Sequence, residues 1–302
     1  MSTAAPELPA GWRPLRPGSP AYPRLLGEIR DPPALVIRGE LATDAVMVAV
    51  VGARRSTAYG EEVAYETGFQ LAAAGVVVVS GLARGIDAAA HRGALDSGGR
   101  TVAVMGTGPD MVYPPEHRAL ADRIAGSGAL VTQFPVGTGP YPYNFPTRNE
   151  TISGLSLGAV VVEARRRSGA MLTAGAAGNQ GRVVMAFPGS VHNPASQGCH
   201  DLIRDKASLV TCAADILAEV KTEPLHQLLV DHPRPRFGDV RDDVLNILRV
   251  GSRTLDEVVA GLEVPVADTV TALARLRLDG EVRLHDGTYG IARHRPARSQ
   301  EE

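Results

Sequence analysis

The sequence predicts a doubly wound α/β domain built on a mostly parallel sheet, followed by a small C-terminal winged-helix domain. Three observations predict it. Six short β-branched runs, "AVMVAVVG", "GVVVVSG", "RTVAVMG", "GALVTQFP", "GAVVVEA" and "RVVMAFPG", are continuously apolar, as strands covered on both faces of a parallel sheet must be. Alanine-rich helical stretches, such as "GEEVAYETGFQLAAAG" (60–75) and "DAAAHRGALDSGG" (87–99), separate them, and this alternation of strand, loop and helix is the doubly wound pattern. Near the C-terminus three amphipathic helices with short connections precede a hairpin with an Asp-Gly turn, which together make a winged helix.

Taken in order, residues 1–43 are proline-rich ("RPGSPAYP", "RDPPALVIRGEL") and read as an extended segment that lays one short strand, "ALVIRG", on its neighbour. Residues 44–220 hold the alternating pattern and form the main domain. Residues 221–238, with "TEPLHQLLVDHPRPRFG", break it with prolines and read as a linker. Residues 239–293 carry "DDVLNILRVG", "TLDEVVAGLEV", "PVADTVTALARLRLDG" and the hairpin "EVRLHDGTYGI", and 294–302 form a tail expected to be disordered.

Of the 302 residues, 44% are hydrophobic, enough to bury one large core and a second small one. A formal net charge of -2 excludes a chain that is basic overall, so any nucleic-acid site must come from locally concentrated arginines. Two cysteines, Cys199 and Cys212, stand in neither a CxxC nor a zinc spacing, which fits a reducing compartment and argues against a structural metal. The N-terminus lacks a basic-then-apolar signal pattern, and no apolar run approaches the roughly 18 residues of a membrane span. A soluble cytoplasmic protein without membrane contact is expected.

In a doubly wound sheet, ligands bind beyond the carboxyl ends of the strands, where loops and helix N-termini open. Arginine and glycine converge there. "VGARRS" supplies Gly52, Arg54, Arg55 and Ser56; "SGLARG" supplies Ser80, Gly81, Arg84 and Gly85; "MGTGPD" supplies Gly106 and Gly108. "FPTRNE" supplies Arg148 and Asn149, and "VEARRRSGAMLTA" supplies Glu163, Arg165 to Arg167, Ser168 and Gly169. Glycine after a strand lets backbone approach a ligand, the next helix offers free N–H groups to an anion, and arginine forks two phosphate oxygens. The alternative is that the glycines only make tight turns, with Arg84 solvated or paired to Asp87.

Named nucleotide signatures are missing. No GxxxxGK[ST] occurs, and "GTGPDM" lacks the third glycine of a dinucleotide fingerprint, so no cofactor is expected. Glu163 is the one carboxylate placed like a general base, with an ion pair to a neighbouring arginine as the competing reading. His91 and His117 lie in helical stretches and read as packing or surface residues. Ser168 has no GxSxG elbow, and its hydroxyl reads as a helix cap or a phosphate ligand.

The stretches "VGARRSTAYG", "SGLARGIDAAAHRGAL", "TVAVMGTGPDMVYPPEHRAL", "FPTRNETISGLS", "VVVEARRRSGAMLTAGAA", "QGRVVMAFPGS" and "QGCHDLI" together resemble the DNA-processing protein A family (DprA, also called Smf) from about residue 20 to 217. The resemblance implies a Rossmann-like core that binds single-stranded DNA, forms a homodimer, and hands the strand to the RecA recombinase against single-strand-binding protein during natural transformation, with no catalytic turnover. It implies that Arg54 and Arg84 line a basic DNA pocket, that Phe145, Arg148 and Asn149 lie beside it, and that Ser168 and Gly169 face the phosphates. Glu150 and Thr151 depart from the usual "RNR" continuation, Thr132-Gln133 replaces the usual Ser-Glu, and about 43 residues cannot hold the helical domain that many members carry before the core.

Phe145 and Tyr143 in "YPYNFP" either stack on bases or pack within their loop. In the winged helix acids outnumber bases, with Arg275 and Arg277 set against Asp268 and Asp279 on the third helix, which favours a protein-contact or regulatory role over duplex reading. Two other readings compete with single-strand binding: a nucleotide-binding enzyme of the phosphoribohydrolase type on a related fold, whose PGGxGT signature is absent, and a nucleotide-sensing transcription regulator.

Overall fold

The computed structural model describes residues 7–220, 237–262, 264, 266–278, 281–285 and 287–291. Most of the expected linker and all of the expected tail lie outside these residues. The chain divides into two compact units, Met1–His232 and Pro233–Glu302.

Among the described residues, nine strands of the first unit form one sheet. They are β1 (Trp12–Leu15), β2 (Leu35–Gly39), β3 (Met47–Val51), β4 (Val77–Ser80), β5 (Thr101–Val104), β6 (Ala129–Thr132), β7 (Gly158–Val161), β8 (Val183–Ala186) and β9 (Ser208–Leu209), in the order β1-β2-β6-β5-β4-β3-β7-β8-β9. From β6 to β9 every pairing is parallel, while β2 runs antiparallel to both β6 and β1. The fold is the doubly wound α/β class.

The N-terminal segment therefore contributes two paired strands where one was expected, and Val36 opposite Thr132 sets its register on the sheet edge. Its short helix α1 (Arg24–Gly27) is tied to the core by Arg182, which donates to the Leu25 carbonyl at 2.7 Å.

Helices α2 (Ala58–Ala73), α3 (Ile86–Asp96), α4 (Arg118–Ser127), α5 (Asn144–Leu155), α6 (Gly169–Asn179), α7 (Gln197–Arg204) and α8 (Ala213–Glu219) alternate with these strands. Residues alternate across the pleat, so each strand feeds two cores. In β3, Met47, Ala49 and Val51 pack with Ile152 of α5 and Ala170, Ala174 and Ala177 of α6. Val48 and Val50 pack on the opposite side with Ala64 and Leu71 of α2, Ile86 and Ala90 of α3, and Ile216 of α8. All five β3 side chains are consequently buried, which is why the run is continuously apolar. No helix among the described residues is long and apolar enough to cross a membrane.

The second unit runs α9 (Phe237–Val250), β10 (Arg253–Thr254), α10 (Leu255–Ala260), α11 (Val266–Leu278), β11 (Val282–His285) and β12 (Thr288–Ile291), with its described strands ordered β10-β12-β11. Helix α9 begins inside the stretch read as linker. Thr254 and Glu257 close a reciprocal capping box at the start of α10. Val244, Leu248, Val258, Leu273, Leu276 and Val282 make a core of this unit's own.

Candidate functional site

Strand β3 leads through α2 to β4 on one side, whereas β7, its other neighbour, arrives from α5. The order in which strands are added reverses between the parallel neighbours β3 and β7, and the loops leaving their carboxyl ends diverge and open a crevice, the place where doubly wound sheets hold ligands. A cavity of about 610 Å³ lies there. Gly52, Arg54 and Arg55 reach it from the β3 loop; Phe145, Arg148, Asn149 and Ile152 from α5; Arg165, Ser168 and Gly169 from the β7 loop and the start of α6; and Asp87 from α3.

Arg54 of "VGARR" and Arg148 of "FPTRN" do different work. Arg148 is buried, donating from Nη1 to the Gly81 and Val104 carbonyls (2.5 and 2.6 Å) and from Nε to Asn149 Oδ1 (3.1 Å). Burial pushes its guanidinium down to about 10, opposed by the nearby Asp87 carboxylate. Asp87 is buried too and accepts from the Gly81 and Ala83 backbone N–H groups; burial raises its pKa, and Arg148 pulls it back down. Together they brace the loop after β4 against α5. A sequence reading of Arg148 and Asn149 as residues of a strand-end loop is thereby corrected: they sit within α5, because their polar groups satisfy buried backbone carbonyls that helix packing would otherwise orphan. Asn149 in turn donates to the Gly169 carbonyl at 3.1 Å, fixing the first turn of α6.

Arg54, Arg55 and Arg165 are exposed at the cavity and make no ion pair among the described residues. The Arg54 guanidinium lies over the Phe145 ring, 4.7 Å from its centroid, a cation–π contact that holds it at the wall. Helix α6 begins at the cavity and points its free N–H groups and positive dipole end at the opening. Ser168, at its N-cap position, does not cap the helix, and its shielded Oγ meets no protein partner among the described residues.

Other sequence-stretch candidates stand behind or beside the cavity. Ser80 is fully buried with its hydroxyl on the Val50 carbonyl at 2.6 Å. Gly81 has no room for a side chain because Arg148 occupies it, and a Cβ on Gly52 would meet Ile86 at 2.5 Å. Gly85 turns the chain into α3 at φ 72°. Arg84 lines a small adjoining crevice with Gly81, Gly106 and Tyr113, and it is ion-paired with Glu116, not with Asp87. Of the site glycines, only Gly169 opens onto empty space.

Glu163 is neither a general base nor an arginine partner. It is buried below α2 and accepts from the Thr57 N–H (2.9 Å) and hydroxyl (2.6 Å), anchoring that helix's N-terminus. His91 packs against Thr101 in the core, and His117 bonds the Leu82 carbonyl. Burial pushes the Cys199 thiol up to about 12. Sequence reasoning placed Arg165 at the strand-end edge but left out Tyr113, which meets Phe145 at 6.1 Å and is brought in by loop packing that no local pattern encodes.

Residues 13–221 match the family model described as DNA recombination-mediator protein A. The chain belongs to that family. It is 42% identical to Protein Smf of Escherichia coli K12 over 277 residues, 88% of this chain and 74% of the relative. It is 43% identical to the DNA processing protein DprA of Streptococcus pneumoniae R6 over 200 residues, 66% of this chain and 71% of that protein. The chain spans 64% of the length of a Mycobacterium tuberculosis relative that is 45% identical over 251 residues, itself 81% of this chain. Among solved structures, that of DprA from Streptococcus pneumoniae is similar at a TM-score of 0.66 and 40% identity, covering 70% of this chain and 75% of that one. DNA processing protein A from Helicobacter pylori, whose structure is described for its single-stranded DNA binding mode, shares the fold at a TM-score of 0.63 and 24% identity, covering 70% of this chain and 96% of that one.

Proposed function

We propose that this recombination-mediator family member binds single-stranded DNA in the cavity between β3 and β7 and performs no catalytic turnover. One observation carries the reading: Arg54, Arg55 and Arg165, which make no ion pair among the described residues, surround a cavity whose one acidic lining residue among them, Asp87, is already committed to Arg148 and backbone N–H groups. Such a site attracts a phosphodiester backbone through charge and makes little demand on base identity. The first turn of α6, with its unpaired backbone N–H groups and the unobstructed Gly169, supplies neutral donors for a phosphate oxygen.

The family's description as a recombination mediator supports the further steps: a homodimer hands the strand to the RecA recombinase and overcomes single-strand-binding protein. The second unit acts as a winged helix that contacts protein, since α11 and the β11–β12 hairpin expose Val266, Val270, Leu284 and Ile291. The test is a titration of an unstructured single-stranded oligonucleotide against wild type, Arg54→Ala and Arg165→Ala, with a duplex competitor. The reading expects each substitution to weaken single-strand binding and the duplex to compete poorly; affinity indifferent to both arginines would sink it.

A further inference from the structure

We propose that Tyr141 and Tyr143 form a preassembled platform, separate from Phe145, that stacks an unpaired nucleobase of the strand whose backbone enters the cavity. This deepens the single-strand reading and rests on it. The two rings lie 4° from parallel with centroids 5.5 Å apart. Both are exposed, Tyr141 at 48% and Tyr143 at 69% of their surface, a costly placement for two large rings unless something covers them.

They alternate in the chain with Pro140 and Pro142, which line the cavity, so one short stretch that turns at Pro142 and Tyr143 puts prolines on the cavity wall and leaves the tyrosines exposed beside it. The stretch is pinned at both ends. Buried Asn144 donates through Nδ2 to the Gly106 and Gly139 carbonyls (3.0 and 3.1 Å), its N–H reaches the Tyr141 carbonyl (3.0 Å), and the Thr147 hydroxyl reaches the Tyr143 carbonyl (3.2 Å). A platform fixed in this way loses little freedom on binding.

Phe145 does not offer the same surface, since Arg54 covers its ring and the Arg148 guanidinium lies 5.8 Å from its centroid. Tyr113 also lines the cavity but is tilted at 51° against Phe145, so the parallel, most exposed aromatic faces at the site are those of the tyrosine pair. The two rings touch each other, which leaves no slot between them, so a base lands on the outer face of Tyr143. Stacking of this kind accepts every base.

The experiment titrates oligothymidylate, intact and with single abasic residues placed at successive positions, against wild type, Tyr141→Ala, Tyr143→Ala, Tyr143→Phe and Arg54→Ala. Tyr143→Ala should bind the intact strand about tenfold more weakly, Tyr141→Ala should weaken it in the same direction, and Tyr143→Phe should match wild type. An abasic residue at one position should reproduce the loss in wild type and add nothing to Tyr143→Ala, and the salt dependence should stay unchanged because no phosphate contact is removed. The platform is overturned if Tyr143→Ala binds like wild type, or if its loss persists undiminished on every abasic strand. Wild-type binding that is weakened by Arg54→Ala but indifferent to both tyrosines removes the platform and leaves the single-strand reading standing; wild type that binds no single strand removes both.

Discussion

Arg148 spends its guanidinium on two backbone carbonyls, on Asn149 and on the field of Asp87, in a buried site. Replacing it with alanine strands a buried carboxyl and two carbonyls, a cost of about 3–5 kcal/mol. Lysine does not rescue it, because one ammonium cannot reproduce the planar fork. Chemical denaturation of wild type, Arg148→Ala and Arg148→Lys should show both variants destabilised, and this loss must be separated from any change in DNA affinity. His91 poses a second test at this scale. Its Nδ1–H donates to Thr101 Oγ1, whose own proton goes to the Val78 carbonyl, and its Nε2 is buried without a partner among the described residues. Burial drives its pKa down to about 3. The unfolded imidazole takes up a proton near 6.5, so between about 6.5 and 3 the unfolded chain binds more protons and stability falls as pH drops through that window. His91 should contribute about 2 kcal/mol of lost stability between pH 7 and pH 5, and a His91→Gln variant should lack that part of the dependence in denaturation curves at the two pH values.

Helices α2 and α3 cross with glycine at the contact: a Cβ on Gly93 would collide with the Tyr65 backbone, and one on Gly68 with that of Ala90. Gly93→Ala should therefore cost about 1–3 kcal/mol through overpacking. Gly169, first residue of α6, faces open space and takes no positive φ. Gly169→Ala should leave the melting temperature unchanged or raise it, while weakening single-strand binding if its emptiness serves a phosphate. A paired measurement of thermal stability and oligonucleotide affinity separates the two uses of glycine, and a Gly169→Ala variant that binds like wild type would assign that glycine to chain geometry alone. At this scale the six β-branched runs were legible because burial on both faces leaves an unbroken apolar signature. Helix α5 was not: eight of its twelve residues are buried, yet Asn144, Arg148, Asn149, Thr151 and Ser153 among them are polar, and all of these but Ser153 have partners distant along the chain. The two-residue β9 is too short to leave a pattern.

For the molecule as a whole, a net charge of -2 means that attraction to DNA depends on where charge is placed and not on its total. Three free guanidiniums at the cavity predict a slope of about -2 for log affinity against log salt on single strands. Arg165→Ala should reduce that slope by about 0.7, whereas Arg148→Ala, where it still folds, should not change it. A steeper wild-type slope would mean that basic groups outside this cavity also carry the strand.

The sequence by itself determined six of the seven strands of the parallel core, helices such as α2 and α3 between them, and the edge at which Gly52, Arg54 and Arg55 emerge, because each follows from local periodicity and from the rule that strand ends open towards a ligand. Only the tertiary structure decided which arginines stay free. In the sequence Arg54, Arg84 and Arg148 all read as cations at strand ends, and nothing local distinguishes them. Burial under α5 claims Arg148 for backbone carbonyls, a long-range contact gives Arg84 to Glu116, and Arg54 is left over the Phe145 ring at the mouth of the cavity. A guanidinium's role is set by whichever acceptor desolvation brings to it, and that acceptor lies tens of residues away along the chain.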